Sequence, residues 1–247
     1  MKSDWSFDPP WMNAAGFLGF APDPHGTTDW DQLGVFVTNP LSLEPRTPAH
    51  GERVIEFPGG FLLHSGHPNP GLTRTLRLYA RGWARARRPV VAHLLAQEPE
   101  ELRRMVQQLE GLENVAGLEI GLPPLVDPSL ARRMVQASQG ELPVMVRLPF
   151  ERALELAQGI AQAAPETLFS LGAPRGCLPV PHGGLLHGRL YGPALFPQAL
   201  EKVHALAQAG LQVVGAGGLY TRAQGEAMLS AGALAVQLDG VLWKGGL

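Results

Sequence analysis

The sequence predicts an α/β fold, a single (β/α)8 TIM barrel that spans residues 1–247 as one domain. Three observations support this prediction. The chain has 247 residues and is 45% hydrophobic, which suits one such barrel with a large core. From Leu72 onward, apolar runs of strand length alternate with segments of helical periodicity. Residues 211–242 contain an apolar run, a helical segment and a second apolar run, the pattern of a βαβ unit with parallel strands.

The individual elements follow from the same alternation. The first strand is expected near Met12, the second within residues 33–38, and the last two on either side of the helical segment in 211–242. Further strands are predicted at residues 90–95, 116–122, 143–148 and 167–171, and helices at 74–88, 100–112, 127–139, 151–163 and 198–209. Asp127 is expected to cap its helix. Eight βα units can be counted. His93 interrupts an apolar strand, which favours a hydrogen-bonded core histidine over a ligand.

Two long segments interrupt the alternation, at residues 39–72 and 172–197. The first is rich in proline and collects polar side chains, among them Arg46, His64, His67 and Asn69. A loop of this length inside a compact domain is usually functional. His64 and His67, with Glu56 nearby, could suggest a metal, but no third ligand has diagnostic spacing, so no metal site is predicted.

Composition restricts the function classes. The net charge is −2 and the pI is near 6.4, so the chain lacks the basic surface that nucleic-acid binding requires. Its one cysteine, Cys177, excludes an internal disulfide framework. No run of about 18 apolar residues and no apolar signal region occurs, so we expect a soluble, cytoplasmic protein that does not bind membranes.

Small residues and one thiol are the remaining local signals. Gly217 and Gly218 follow a predicted strand, where their backbone N–H groups could hold a phosphate or could form only a tight turn. Ala14, Ala15 and Gly16 would let a flat ring approach the backbone, or could form a turn. Cys177 could be a nucleophile, although no orienting acid is close in sequence and a plain thiol is favoured.

Several motifs in one order resemble the dihydroorotate dehydrogenase family of FMN-binding (β/α)8 barrels. The resemblance extends over residues 10–242. Its most specific parts are LGVFVTNPLSLEPR, PGGFLLHSGHPNPG, PVMVRLP, YGPALFP and VVGAGGLYTRAQGEAMLSAGALAVQL. It implies an FMN-dependent oxidoreductase of pyrimidine biosynthesis that acts on a small-molecule substrate, and it makes a homodimer plausible. The implied cofactor-binding residues are Ala15, Gly16, Asn39, Arg147, Gly192, Gly217, Gly218 and Gly240, and the implied substrate-binding residues are His64 and Asn69.

The chain departs from the family pattern around the implied substrate. Asn39 stands where the family has a lysine, Leu63 where it has an orotate-binding asparagine, and residues 121–124 replace the loop that carries the catalytic Cys or Ser. Cys177 and His64 are the candidates for a replacement base. We therefore expect an oxidoreductase with an altered substrate site; the alternative is a non-catalytic barrel that binds a ligand or protein partner without flavin chemistry.

The implied cofactor site also departs from the family. Arg147 replaces a lysine beside the flavin ring and keeps its positive charge. The last strand ends in Asp239 and Gly240 rather than Gly-Thr or Gly-Ser, and a carboxylate close to a phosphate is repulsive unless a cation intervenes. Gly172 and Ala173 also replace a family threonine or asparagine.

Overall fold

A computed structural model describes residues 5–181 and 183–246. The strands are, in chain order, β1 (Trp11–Asn13), β2 (Phe36–Val37), β3 (Val54–Phe57), β4 (Gly60–Leu63), β5 (Val90–Leu94), β6 (Val115–Gly121), β7 (Val144–Leu148), β8 (Leu168–Leu171), β9 (Arg175–Pro179), β10 (Leu185–Tyr191), β11 (Val213–Ala216) and β12 (Ala235–Leu238). Eight of them form one parallel sheet in the order β1-β12-β11-β8-β7-β6-β5-β2. A parallel bridge between Met12 and Val35 joins its two edges. The predicted (β/α)8 barrel is confirmed.

The helices lie in the connections between barrel strands. Those of α type are α1 (Leu72–Ala84), α2 (Pro99–Leu109), α3 (Pro128–Ala137), α4 (Ala153–Ala161), α5 (Phe196–Gln208) and α6 (Arg222–Ser230). Asp127 caps α3 as expected, its carboxylate accepting hydrogen bonds from the N–H groups of Ser129 and Leu130. The count of eight βα units was wrong in one respect. In the described residues, only 3-10 helices, Trp30–Gln32 and Gly240–Lys244, follow β1 and β12. The segment after β1 is rich in Pro, Gly and Asp, which do not support a longer helix.

A second, antiparallel sheet with the order β3-β4-β10-β9 was not predicted. Both segments that the sequence left as long loops contain a hairpin, and the two hairpins pair through β4 and β10. In their register Arg189 faces Leu63, and Tyr191 faces Phe61. The hairpins follow the C-terminal ends of β2 and β8, so this sheet lies at the end of the barrel where ligands bind in such folds.

The barrel interior is divided into an apolar and a polar layer. Near the N-terminal ends of the strands, the interior is filled by apolar side chains: Met12, Val35, Val91, Met145, Leu168, Val214 and Ala235. Trp5 packs there against Gly117, where a Cβ would lie 2.4 Å from the indole ring. Side chains alternate along a strand, so the next side chain that points into the barrel lies two residues further toward the C-terminal end of each strand. Four strands, β5, β6, β7 and β12, carry a polar residue there. These positions hold His93, Glu119, Arg147 and Gln237, all buried.

No helix among residues 5–181 and 183–246 is both long and apolar enough to cross a membrane.

Candidate functional site

A buried carboxylate organises the polar layer at the C-terminal end of the barrel. Glu119 on β6 has no solvent exposure. Its Oε2 lies 2.5 Å from Nδ1 of His93, and its Oε1 accepts hydrogen bonds from the Ser170 hydroxyl (2.7 Å) and from Nε2 of Gln237 (2.8 Å). These four residues stand on four different strands, so the network fixes their positions relative to one another.

The protonation states of this network follow from its burial and contacts. Burial raises the pKa of Glu119, but His93, Arg147 and Gln237 together outweigh this effect and hold the pKa below its ordinary value. Burial also lowers the pKa of His93, more than Glu119 raises it. At neutral pH the pair is therefore an ionised carboxylate and a neutral imidazole. Since Nδ1 donates its proton to Glu119, Nε2 of His93 carries a lone pair.

An open cleft lies above this layer. Its walls come from β5, β6 and β7, from the loops after β1, β2 and β8, and from β10. The residues that face it with polar side chains are His67, His93, Arg147, Glu151, Arg175 and Arg189. A smaller inner cavity shares Arg147 with the cleft and extends to Gly217, Gln237 and Asp239. The two spaces together form the mouth of the barrel.

Two arginines give the cleft a positive charge that no neighbour neutralises directly. Arg147 is 8% exposed, and within the described chain neither it nor Arg189 forms an ion pair or donates a side-chain hydrogen bond. Burial and the charge of Arg147 lower the pKa of Arg189. Burial, followed by the charge of Arg189, lowers the pKa of His67 to about 3, so His67 is neutral. Buried cations are normally paired, so this arrangement indicates a site for an anion.

Asp239 lies where the loops after β11 and β12 meet. Its carboxylate accepts a hydrogen bond from the backbone N–H of Gly240, at 2.5 Å, and the N–H of Gly218 lowers its pKa. It is 5% exposed. Burial raises its pKa to about 6, against the lowering effect of those N–H groups and of Arg147. The N–H groups that would hold a phosphate in this fold therefore already hold a carboxylate of the chain itself.

Aromatic side chains cover the mouth beside Asp239. Tyr191 is 4% exposed; the Phe61 ring stacks on Tyr191 at 5.4 Å and on Trp243 at 5.5 Å, and Phe17 contacts both Tyr191 and Trp243. Tyr191 and Phe61 come from the antiparallel sheet, and Trp243 from the 3-10 helix after β12. These rings occupy space above the inner cavity.

The implied FMN can be tested against both ends of this mouth. At the inner cavity, Nε of Arg147 and Oε1 of Gln237 are buried without a hydrogen-bond partner, so a donor and an acceptor are available to the polar edge of a ring. At the other end, the ionised Asp239 fills the phosphate position and would repel a dianion. The residues suit a flavin ring but not its phosphate, so FMN as a whole does not fit this site.

The expected ligand-binding residues lie in different places. Ala15, Arg147 and Gly217 line the mouth. Asn39 does not: its side-chain oxygen accepts from the N–H of Gly19 and holds the loop after β1. Asn69 is buried, and its amide is used within the protein, by Ser42, Gly71 and the His67 carbonyl. Both asparagines therefore brace loops.

The remaining expected residues are glycines that allow close packing or loop turns, and two side chains that lie outside the cleft. Gly192 packs against the second sheet, where a Cβ would lie 2.2 Å from the Gly59 carbonyl oxygen. The other implied glycines, Gly16, Gly218 and Gly240, form the loop ends around the mouth. Neither Cys177, exposed on β9, nor His64 is among the residues that line the mouth. In the part of the chain that the structure describes, no group of three His, Cys, Asp or Glu side chains could hold a metal.

Two important residues were missed from the sequence. Glu119 lies inside the apolar run Gly117-Leu118-Glu119-Ile120, and a carboxylate in a buried strand is a signal that partners must exist. Arg189 reaches the cleft through the pairing of β10 with β4, for which the local sequence contains no signal. His67 was noted in the long loop at residues 39–72, but its place at the cleft depends on how that loop folds.

The chain is similar over most of its length to curated proteins named dihydroorotate dehydrogenase B (NAD(+)), catalytic subunit. It is 29% identical over an alignment of 249 residues to that of Pelobacter propionicus and 28% identical to that of Trichlorobacter lovleyi, covering 93% of this chain and 82% of each relative. In fold it resembles the crystal structure of Eimeria tenella DHODH in complex with ferulenol, with a TM-score of 0.76 and 16% identity, over 96% of this chain and 77% of that one. No family model matches.

Proposed function

We propose that this chain, which is a divergent member of the dihydroorotate dehydrogenase family, is an oxidoreductase that acts on a small anionic substrate other than dihydroorotate. The names of its relatives support an oxidoreductase. The observation that carries the anionic substrate is the pair of arginines at the cleft, Arg147 and Arg189, which form no ion pair with any described residue.

The arginines define what the substrate must supply. A guanidinium that is largely withdrawn from water and forms no ion pair destabilises the free protein, and an anion that enters the cleft removes this cost. The planar donor groups of Arg147 and Arg189 match the oxygens of a carboxylate. We therefore assign substrate binding to these two residues, and a carboxylate to the part of the substrate that they hold.

His93 supplies the proton acceptor in this proposal. Its Nδ1 is fixed by Glu119 at 2.5 Å, and its Nε2 lies beside Gly121 at the wall of the cleft, where a Cβ on Gly121 would come within 2.8 Å of it. A carboxylate that orients an imidazole leaves Nε2 free to accept a proton from a bound substrate, while the hydride would pass to a flavin ring held beside Arg147 and Gln237 without a bound phosphate. Glu119 then stabilises the imidazolium that forms.

Dihydroorotate suits the site poorly. Asn39 is turned to the Gly19 loop, the Leu63 position offers no amide, and Gly121 carries no side chain. Each polar group of a buried ligand that lacks its partner costs about 1–3 kcal/mol. A substrate with fewer polar groups around its carboxylate avoids this cost.

Binding of carboxylates can be tested without knowing the substrate. Thermal unfolding and calorimetric titration with fumarate, orotate and inorganic phosphate would be compared for the wild type, Arg147→Met, Arg189→Met and, as a control, Arg104→Met on the exposed face of α2. Loss of one charge-assisted contact of about 1.5–3 kcal/mol should weaken carboxylate binding roughly 10- to 150-fold in the two cleft variants only.

The free protein provides a second measurement. Without ligand, Arg147→Met should unfold at about the same temperature as the wild type, because removal of a buried charge without an ion pair offsets the lost attraction to Glu119 and Asp239. Equal carboxylate affinity in the wild type and both cleft variants would contradict the proposal. So would strong destabilisation of ligand-free Arg147→Met, which would indicate a structural role for the charge.

A second candidate is the barrel that binds its ligand without flavin chemistry. The carboxylate of Asp239 at the phosphate position favours it. The visible absorption spectrum of the purified protein separates the two candidates. A bound flavin that is bleached by the substrate under anaerobic conditions supports the oxidoreductase. A colourless protein that still binds carboxylates through Arg147 and Arg189 supports the second candidate.

A further inference from the structure

We infer that Asp239 is a built-in substitute for a phosphate group, so that any ligand of this barrel is bound without a phosphate between the loops after β11 and β12. Its carboxylate accepts a hydrogen bond from the backbone N–H of Gly240, and the N–H of Gly218 in the loop after β11 lowers its pKa. These are the groups that grip phosphates in this fold. The inference holds whether or not the barrel catalyses a reaction.

The loops after β11 and β12, which surround Asp239, keep the shape of an anion site. Gly217 and Gly218 both have positive φ, +106° and +72°. A Cβ on Gly218 would lie 2.4 Å from the Phe196 nitrogen, so the loop after β11 is pressed against the start of α5. A phosphate could therefore still approach the backbone of this loop closely, and in this chain the Asp239 carboxylate lies there instead.

Charge then excludes a second anion. The carboxylate is buried and, with a pKa of about 6, mostly ionised at neutral pH. The positive charge of Arg147 lowers that pKa but makes no ion pair with Asp239. Lys244 lies over the Tyr220 ring, 5.7 Å from its centre. A phosphate that entered would face an ionised carboxylate with no cation paired between them.

Packing around Gly240 supports the inference independently. A Cβ at this position would lie 2.5 Å from the Tyr220 hydroxyl oxygen and 3.0 Å from the Phe61 ring. In the family pattern a threonine or serine stands here and helps to hold the phosphate. In this chain Tyr220 and Phe61 occupy the space of that side chain, so its hydroxyl could not be restored without moving them.

The test uses two flavins that differ only by the phosphate. Flavin-free protein is titrated with FMN and with riboflavin, following quenching of flavin fluorescence, and the ratio of the two affinities is compared between the wild type, Asp239→Gly and Asp239→Asn. The wild type should show no preference for FMN. Asp239→Gly should prefer FMN by at least about tenfold, the effect of one or more charge-assisted hydrogen bonds.

Inorganic phosphate gives a readout that does not depend on the ring. Phosphate should raise the unfolding temperature of Asp239→Gly more than that of the wild type, and Asp239→Asn, which loses the charge but fills the same space, should fall between them. A wild-type preference for FMN over riboflavin of about tenfold or more would overturn the inference. So would an Asp239→Gly protein, folded by circular dichroism, that gains neither FMN preference nor a phosphate response. Because Arg147 and Arg189 are unchanged in these variants, failure here leaves the carboxylate test of the cleft unaffected.

Discussion

Replacing Glu119 by glutamine tests whether the buried carboxylate holds the polar layer together. The change keeps the shape of the side chain and removes its charge. Three hydrogen bonds, from His93, Ser170 and Gln237, then lose an ionised acceptor. The amide nitrogen of the new side chain also has to face either a donor or the imidazole. We therefore expect a loss of stability from a residue that is fully buried.

The size of the effect follows from the number of bonds. Hydrogen bonds to a charged group contribute about 1.5–3 kcal/mol and neutral ones about 0.5–1.5, so about 1 kcal/mol is lost for each bond and about 3 kcal/mol in all. For a chain of this length each kcal/mol corresponds to about 2–4 °C, which gives a decrease of about 6–12 °C in unfolding temperature. Glu113→Gln, at an exposed position, serves as the control and should change little.

The pH dependence provides an internal check on the same variant. The pKa of Glu119 is below its ordinary value of 4.5 in the folded protein, so on acidification the unfolded chain takes up the proton first. The stabilisation is therefore fully present above 4.5 and decreases as the pH falls below it. Circular dichroism melts of wild type and Glu119→Gln should converge in that range. Equal unfolding temperatures at neutral pH would refute the reasoning.

Two further outcomes are expected. Burial raises the pKa of Asp239 from 3.8 to about 6, so the folded protein binds the proton more tightly than the unfolded chain. Above pH 6 the ionised carboxylate therefore destabilises the folded protein. Asp239→Asn should therefore be more stable than the wild type above pH 6, and this advantage should disappear below pH 3.8. In chemical denaturation the change in free energy of unfolding should reach up to about 3 kcal/mol. A difference that does not depend on pH would contradict this cause. Dihydroorotate should not bleach FMN mixed with the protein under anaerobic conditions, since Asn39, Leu63 and Gly121 leave its polar groups without partners at about 1–3 kcal/mol each. Stopped-flow absorbance measures this directly, and bleaching on mixing would contradict it.

Much of the barrel could be predicted from sequence because its signals are local. The apolar runs place the barrel strands β5, β6, β7, β8, β11 and β12 within a few residues, and Asp127 marks the start of α3. Arg147 was expected at the mouth because it ends a buried strand, and it lines both cavities. The roles expected for Asn39 and Asn69 depended on side-chain direction, which spacing does not determine; both amides are bonded within the protein.

The antiparallel sheet and the residues it brings to the cleft could not be predicted in this way. Its strands are short, and β4 pairs with β10, more than 100 residues later in the chain. No local period records such a pairing, and the register alone decides that Arg189 and Tyr191 face the mouth. The second arginine of the anion site was therefore invisible in the sequence, although the first was not.

The departures from the family pattern are related through space. Gly121 stands where the family's loop begins, and a Cβ there would lie 2.8 Å from Nε2 of His93. Gly240 stands where the family has a hydroxyl residue, and a Cβ there would lie 2.5 Å from the Tyr220 hydroxyl. In both places the side chain that is missing would collide with one that is present, so each loss accompanies a gain nearby. At these two positions the space is filled by His93 and by Tyr220, so the mouth is repacked there beside the charged cleft.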